Sequence, residues 1–255
     1  IMMVDFYKYE GTGNDFIIID DRTQLFDISN YNLISLMCDR KFGIGADGLI
    51  LLRNHETFDF EMLYFNSDGY LSSMCGNGGR CIVHFVNYLK IIDNATKFIA
   101  VDGVHEARID GKDVHLKMQN VKNIIEENNC YILDTGSPHY VKFVNDISNL
   151  DVLNQGKIIR KKFTDGINVN FVEIGNNILV RTYERGVEDE TLSCGTGVVA
   201  SALAIHFSKK SKNNTIDIKA SGGNLNVTFE YDFKNYFNIW LKGTAKMIFS
   251  GKYKC

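Results

Sequence analysis

The chain has 255 residues, 45% of them apolar and 12% aromatic, so it carries enough apolar surface to bury a core in one large domain or two small ones. Its formal charge of −3 argues against general nucleic-acid binding. No apolar run reaches the roughly 18–20 residues that a membrane-spanning helix requires.

Residues 3–21 read as strand, glycine turn, strand, with Val4 and Phe6 leading in and Phe16–Ile19 as an apolar run. Residues 29–41 read as a helix capped by Ser29, with Leu33, Leu36 and Met37 on one face. Leu49–Leu52 is a buried strand. Phe58–Asn66 follows as a strand in which Phe58, Phe60, Met62 and Tyr64 alternate, and Asn66-Ser67-Asp68-Gly69 ends it as a turn. Met74-Cys75-Gly76-Asn77-Gly78-Gly79-Arg80 comes next. Beyond Arg80 the spacing is helical, with Cys81, Ile82, Phe85, Val86 and Leu89 on one stripe. Lys97–Met118 reads as strands joined at Asp102-Gly103 and Asp110-Gly111.

A second half opens near Asn120. Tyr131–Asp134 and Tyr140–Val144 flank a turn holding Pro138, the chain's one proline. Ile167–Ile174 and Ile178–Glu184 form a hairpin across Gly175-Asn176-Asn177. The acidic turn Glu188-Asp189-Glu190 leads to Ser193-Cys194-Gly195-Thr196-Gly197 and an apolar helix over Val198–Phe207. Strands over Thr215–Lys219, Leu225–Tyr231, Phe237–Lys242 and Ala245–Phe249 close the chain, the first two joined by Gly222-Gly223. The count is antiparallel strand material with one main helix per half, an α+β class. The basic runs Arg160-Lys161-Lys162 and Lys209-Lys210-Ser211-Lys212 read as solvated loops.

Strand, turn, Cys-Gly-x-Gly, helix thus occurs twice, around Cys75 and around Cys194, as a duplicated half-domain would produce. Each cysteine falls at or just before a helix N-terminus, where unpaired N–H groups and the helix dipole favour an anion and ease ionisation of a thiol. Glycines beside them let a ligand approach the backbone.

On these residues the chain resembles the diaminopimelate epimerases. Met74–Arg80, Glu184-Arg185-Gly186 and Cys194–Gly197 match that family's signatures. Gly11-Thr12-Gly13-Asn14-Asp15-Phe16, Gly43-Ile44-Gly45-Ala46-Asp47-Gly48, Gly136-Ser137-Pro138-His139 and Asn168-Val169-Asn170-Phe171 fit it too, in family order. The resemblance implies a cofactor-independent enzyme that interconverts LL- and meso-diaminopimelate on the route to lysine and peptidoglycan. It implies two similar domains, residues 1–118 and 119–249, with residues 250–255 returning to the first. Each would be a barrel-like, mostly antiparallel sheet around a central helix, with the active site in the cleft between them. It also implies a homodimer. Proline racemases and related isomerases share the fold, and typically carry His where this chain has Asn77.

Inverting an amino-acid α-carbon needs a base on one face and an acid on the other, and two thiols meet that need, with Cys75 and Cys194 the candidates. Backbone N–H groups of Gly76, Asn77, Gly195 and Thr196 would hold the substrate α-carboxylate. Glu184 and Arg185 suit the distal ammonium and carboxylate, and Asn14, Asn66 and Asn168 offer neutral donors and acceptors. The resemblance implies substrate contacts at these positions, and implies that His139 and Glu184 assist the thiols. Departures stand at Ser137, where many members have Asn, and at Gly48, where some have a side-chain amide.

Other readings stay open. Cys38, Cys81 and Cys130 read as small buried hydrophobes and Cys255 as a free terminal thiol. A redox disulfide joining Cys75 and Cys194 is chemically possible. No Cys-x-x-Cys or paired-His spacing suggests a metal, and no pyridoxal lysine or nucleotide loop suggests a cofactor. A proline- or hydroxyproline-type racemase and a non-catalytic binding protein of the same fold are the competing functions. Six sparse cysteines point to a reducing cytoplasm. The N-terminus shows no signal-peptide pattern, and Ile1 ahead of Met2 reads as an added residue.

Overall fold

The computed structural model describes residues 3–255; Ile1 and Met2, with the reading of an added residue there, lie outside them. The described residues form an α+β structure of eighteen strands and four helices. They divide into two compact units, one running to Leu116 and resuming over Gly243–Cys255, the other Lys117–Lys242.

The first unit begins with a hairpin of β1 (Met3–Gly11) and β2 (Asn14–Asp20), closed at Gly11↔Asn14. Helix α1 (Tyr31–Cys38) then carries the chain to β3 (Gly48–Arg53), which pairs parallel to β2. β4 (Phe60–Asn66) returns antiparallel and pairs with the short β5 (Leu71–Ser72). Helix α2 (Gly76–Tyr88) leads to β6 (Ala95–Ala100), parallel to β4, and a meander continues through β7 (Gly103–Asp110) and β8 (Asp113–Lys117).

The second unit repeats this order after an added first strand, β9 (Ile124–Glu127), which pairs with β10. β10 (Cys130–Asp134) and β11 (Pro138–Phe143) form a hairpin, and α3 (Val152–Arg160) crosses to β12 (Asn168–Ile174), parallel to β11. β13 (Ile178–Glu184) and the short β14 (Asp189–Thr191) follow, then α4 (Gly195–Phe207) and β15 (Thr215–Ala220), parallel to β13. β16 (Gly223–Tyr231) and β17 (Tyr236–Thr244) complete the repeat. The last strand, β18 (Lys246–Lys254), pairs along β1 and takes in the first unit the place that β9 takes in the second.

Each unit therefore contains two parallel pairings, where the strand pattern alone suggests antiparallel sheet. A crossover helix makes each of them possible. The physical sign is in the strands: Phe16–Ile19 and Leu49–Leu52 are buried on both faces and read as unbroken apolar runs. In the second unit, ten residues of α4 are buried, among them Val198, Val199, Leu203 and Ile205, and they pack with Ile216, Leu225 and Val227. A helix apolar all round belongs inside.

Two of the helices, α1 and α3, depart from expectation. α1 starts two residues after Ser29, and Asn30 is its cap, accepting from Leu33 N at 3.1 Å; Ser29 is occupied with Asp27. Its buried face is Ile34, Met37 and Cys38, while Leu36 is exposed. α2 starts at Gly76, which places Cys75 just before its N-terminus as expected and draws the glycines into its first turn. α3 is a second helix in its half, capped by Asp151, and Arg160 is its last residue and pairs with Glu188 at 2.9 Å rather than lying in a loop. It packs through Val152, Gly156 and Ile159, and a Cβ at Gly156 would collide with the Tyr183 side chain. A glycine in mid-helix is a poor propensity signal, so tertiary packing forms this helix.

Candidate active site

Cys75 is the residue at which α2 begins. Its backbone is extended (φ −84°, ψ 128°) and its side chain makes no capping bond to the helix, so the thiol is not spent on the first-turn N–H groups. Cys194 stands the same way on α4 (φ −121°, ψ 111°), again with no capping bond. The two helices start their own ladders with Gly79 N to Cys75 O at 2.7 Å and Val198 N to Cys194 O at 2.9 Å. The first-turn N–H groups over Gly76–Gly78 and Gly195–Gly197 point out of the helix end, where an anion is favoured.

A buried polar network holds the first of these turns. Arg80 is fully buried and donates to Thr12 Oγ1 at 2.6 Å and to Asn77 Oδ1 at 2.8 Å. Thr12, Asn77 and the Gly76 carbonyl, to which it also donates, are all uncharged. Burial pulls its pKa down, and the neighbouring Cys81, Cys75 and Glu10 counter that pull. Asn77 Nδ2 donates to Asn14 Oδ1 at 2.6 Å, and Asn14 Nδ2 donates to Asp47 Oδ2 at 2.9 Å. Asp47 also binds Arg40, which binds Asp15, which binds Lys8. The Lys8 ammonium also donates to the Gly45 carbonyl. Lys8 and Arg40 hold the Asp15 carboxyl far below the usual carboxylate range despite its burial. The motifs around Gly11–Phe16 and Gly43–Gly48 are thus the struts of the Cys75 turn. Gly11 is required by closeness, since a Cβ there would come within 2.9 Å of Cys81 Sγ and 3.1 Å of Asn77 O. At Gly48 a Cβ would meet Phe65 O and the Tyr64 ring at 2.5 Å, so a side-chain amide has no room there.

The second turn is braced by neutral groups. Thr135 Oγ1 donates to Thr196 O at 2.8 Å. Asn168 donates to Ser137 Oγ at 3.2 Å and to Pro138 O at 3.1 Å, and accepts from Arg185 N at 2.9 Å. His139 is fully buried, with Nε2 3.0 Å from Ser137 Oγ and Nδ1 3.0 Å from Asn170 Nδ2. Burial, aided by Arg185, pushes its pKa down to about 3, so the ring is neutral at physiological pH. Thr196 Oγ1 stands 3.4 Å from the Cys194 sulfur and 3.2 Å from Ser137 Oγ. Gly197 is required because a Cβ would overlap Asn170 Oδ1.

Within the second unit the structure therefore gathers Cys194, Gly195, Thr196, His139 and Asn168, with Arg185 joined through its backbone. Asn168 is 4% exposed and braces the turn with its whole amide. The Arg185 guanidinium bonds the Asp165 carbonyl at 3.3 Å and has no carboxylate partner among the described residues. Glu184 ends β13 and accepts from Thr191 Oγ1 at 2.9 Å. Within the first unit Cys75, Gly76, Asn77 and Asn14 come together. Asn66 is exposed at the end of β4, where its backbone forms the turn bonds to Gly69 and Tyr70. Sequence reasoning missed Thr12, Arg80, Asp47 and Asn170 as working parts. They lie in matched motifs, but a motif does not say which neighbour a polar side chain will find.

Cys38, Cys81 and Cys130 are buried, and burial pushes the Cys38 thiol up to about 12 and Cys81 beyond that. None of the six cysteines is joined in a disulfide in this structure. No described helix is long and apolar enough to cross a membrane.

Solved structures share this architecture at low identity. A PhzF-family phenazine biosynthesis protein from Bacillus anthracis superposes with a TM-score of 0.78 at 14% identity, over 100% of both chains. A hydroxyproline epimerase from Agrobacterium vitis superposes at 0.71 and 12%, covering 98% of this chain and 91% of that one. These define the class, a duplicated two-unit α+β fold. The sequence model of diaminopimelate epimerase matches residues 6–123 and again 131–248. A diaminopimelate epimerase of Flavobacterium psychrophilum is 51% identical over 95% of this chain and 97% of that protein. Those of Chlorobaculum tepidum and Aquifex aeolicus are 42% and 35% identical, each over at least 94% of both chains. The chain belongs to the diaminopimelate epimerase family.

Proposed function

We propose that the protein interconverts LL- and meso-diaminopimelate without a cofactor, Cys75 and Cys194 serving as the two proton-transfer groups. The observation that carries this reading is the repeated helix start: two cysteines, each at the N-terminus of its unit's central helix, neither used as a cap. One thiolate takes the α-proton and the other thiol returns one to the opposite face; the reverse reaction exchanges their roles. The helix N-termini favour charge developing on the α-carboxylate. Gly76, Asn77, Gly195 and Thr196 supply N–H groups to that carboxylate, and Asn14, Asn66 and Asn168 border the substrate. Arg185 and Glu184 read the distal amino-acid head, Glu184 also assisting a thiol, and His139 acts on the thiols through its neighbours. The same reading makes the protein a cytoplasmic homodimer, each subunit built of two similar halves; the second half closes at Lys242 rather than at 249, because β18 pairs along β1 in the first.

The test follows deuterium from solvent in Cys75→Ser and Cys194→Ser. Serine keeps the shape but is a far weaker base than a thiolate. Both variants should invert substrate very slowly, with residual exchange favouring opposite isomers. Wild-type inversion by either variant, or the same stereochemical preference in both, would refute the two-thiol reading.

A further inference from the structure

The hydrogen bonds around His139 have a fixed sense. Asn170 Nδ2 lies 3.3 Å from Tyr140 O as well as 3.0 Å from His139 Nδ1. A carbonyl only accepts, so the atom between them is the amide nitrogen and Nδ1 is an acceptor. A neutral ring that accepts at Nδ1 carries its proton on Nε2, and that proton points at Ser137 Oγ, 3.0 Å away. Asn168 Nδ2 also donates to Ser137 Oγ at 3.2 Å; its orientation is set by Pro138 O, which accepts from it, and by Arg185 N–H, which its Oδ1 accepts. Ser137 Oγ thus receives two donors and has both lone pairs engaged. Its own proton is left for Thr196 Oγ1 at 3.2 Å, and the Thr196 hydroxyl stands 3.4 Å from Cys194 Sγ, within reach to donate to a thiolate there.

We infer that Asn170, His139, Ser137 and Thr196 form a one-way donor chain that ends on the Cys194 sulfur and stabilises it as a thiolate. His139 and Ser137 are positioning residues in this chain: they orient the Thr196 hydroxyl and take no proton from the substrate. The ring's neutrality, set by its burial, keeps the chain in one sense across the physiological range. The two cysteines are then supported by different means. The residue two places after Cys75 is Asn77, whose Oδ1 accepts from Arg80 and Thr12, so that turn relies on a buried cation where the other relies on an oriented hydroxyl. This deepens the proposed function, on which it rests for the meaning of the Cys194 thiolate.

Two measurements on the intact protein test it without turnover. Nitrogen-15 spectra of histidine-labelled protein, with the His139 signals assigned by their loss in His139→Gln, should show the proton on Nε2. A proton on Nδ1 reverses the chain and overturns the inference. The second measurement is the pH dependence of iodoacetamide labelling, read peptide by peptide. Thr196→Val removes the hydroxyl and keeps the shape, so the Cys194 thiol pKa should rise by about one unit and labelling near neutrality should slow roughly tenfold. Cys75, in the same sample, should label as in wild type. Thr196→Ser should restore the Cys194 profile. Ser137→Asn should also hold it, since the amide both accepts and donates, while Ser137→Ala should raise the Cys194 pKa. A Cys194 profile unmoved in Thr196→Val overturns the inference. A protein showing this chain that failed to epimerise diaminopimelate would refute the proposed function instead.

Discussion

Replacing His139 by Gln should change how the protein's stability depends on acid. The buried ring has a pKa of about 3 in the folded protein, against 6.5 for a free histidine. Between those values the unfolded chain binds a proton that the folded chain refuses, so stability is present above pH 6.5 and is lost as pH falls towards 3. Each pH unit in that window is worth about 1.36 kcal/mol, so going from pH 8 to pH 5 should cost about 2 kcal/mol through this ring alone. Burial also lowers the pKa of His84 and His206, which adds loss of the same sign. The comparison with His139→Gln removes their share. Glutamine offers an N–H towards Ser137 without a titrating ring, so it isolates the charge. Urea unfolding at pH 8 and pH 5 should show wild type losing about 2 kcal/mol more than the variant over that interval. An equal loss in both proteins would mean that His139 is protonated in the fold or is reached by water, and the argument from its burial would fail.

Arg185→Lys keeps the charge but loses the planar fork, and should lower kcat/KM for diaminopimelate roughly ten- to a hundredfold with the melting temperature unchanged. Unaltered kinetics would remove Arg185 from the substrate site. Gly197→Ala should destabilise the protein by about 1–3 kcal/mol, because the new methyl displaces Asn170 from a closely packed place; an unchanged denaturation midpoint would contradict that packing.

Much of the fold was legible along the chain. Period-two and unbroken apolar runs located most strands, the apolar run Val198–Phe207 located α4, and the repeat of Cys-Gly-x-Gly between strand and helix exposed the duplication. These signals are local, set by side-chain period and by glycine at tight approaches. The α3 helix was not legible, since its core face is only Val152, Gly156 and Ile159 and its mid-helix glycine makes sense only against Tyr183. Nor did sequence period distinguish parallel from antiparallel pairing, because a strand buried on both faces carries no alternation to read. The two cysteines were identifiable because glycine and helix onset mark them. Their supports were not, because a polar side chain's partner lies far along the chain: Thr12 meets Arg80, and Asn170 meets His139. The sequence by itself thus determined the family, the duplication and the placing of two cysteines at helix starts. Only the tertiary structure decided that one thiol turn is braced by a buried cation and the other by a neutral, oriented chain of donors, because charge state and hydrogen-bond sense depend on burial and on which groups folding brings within 3 Å.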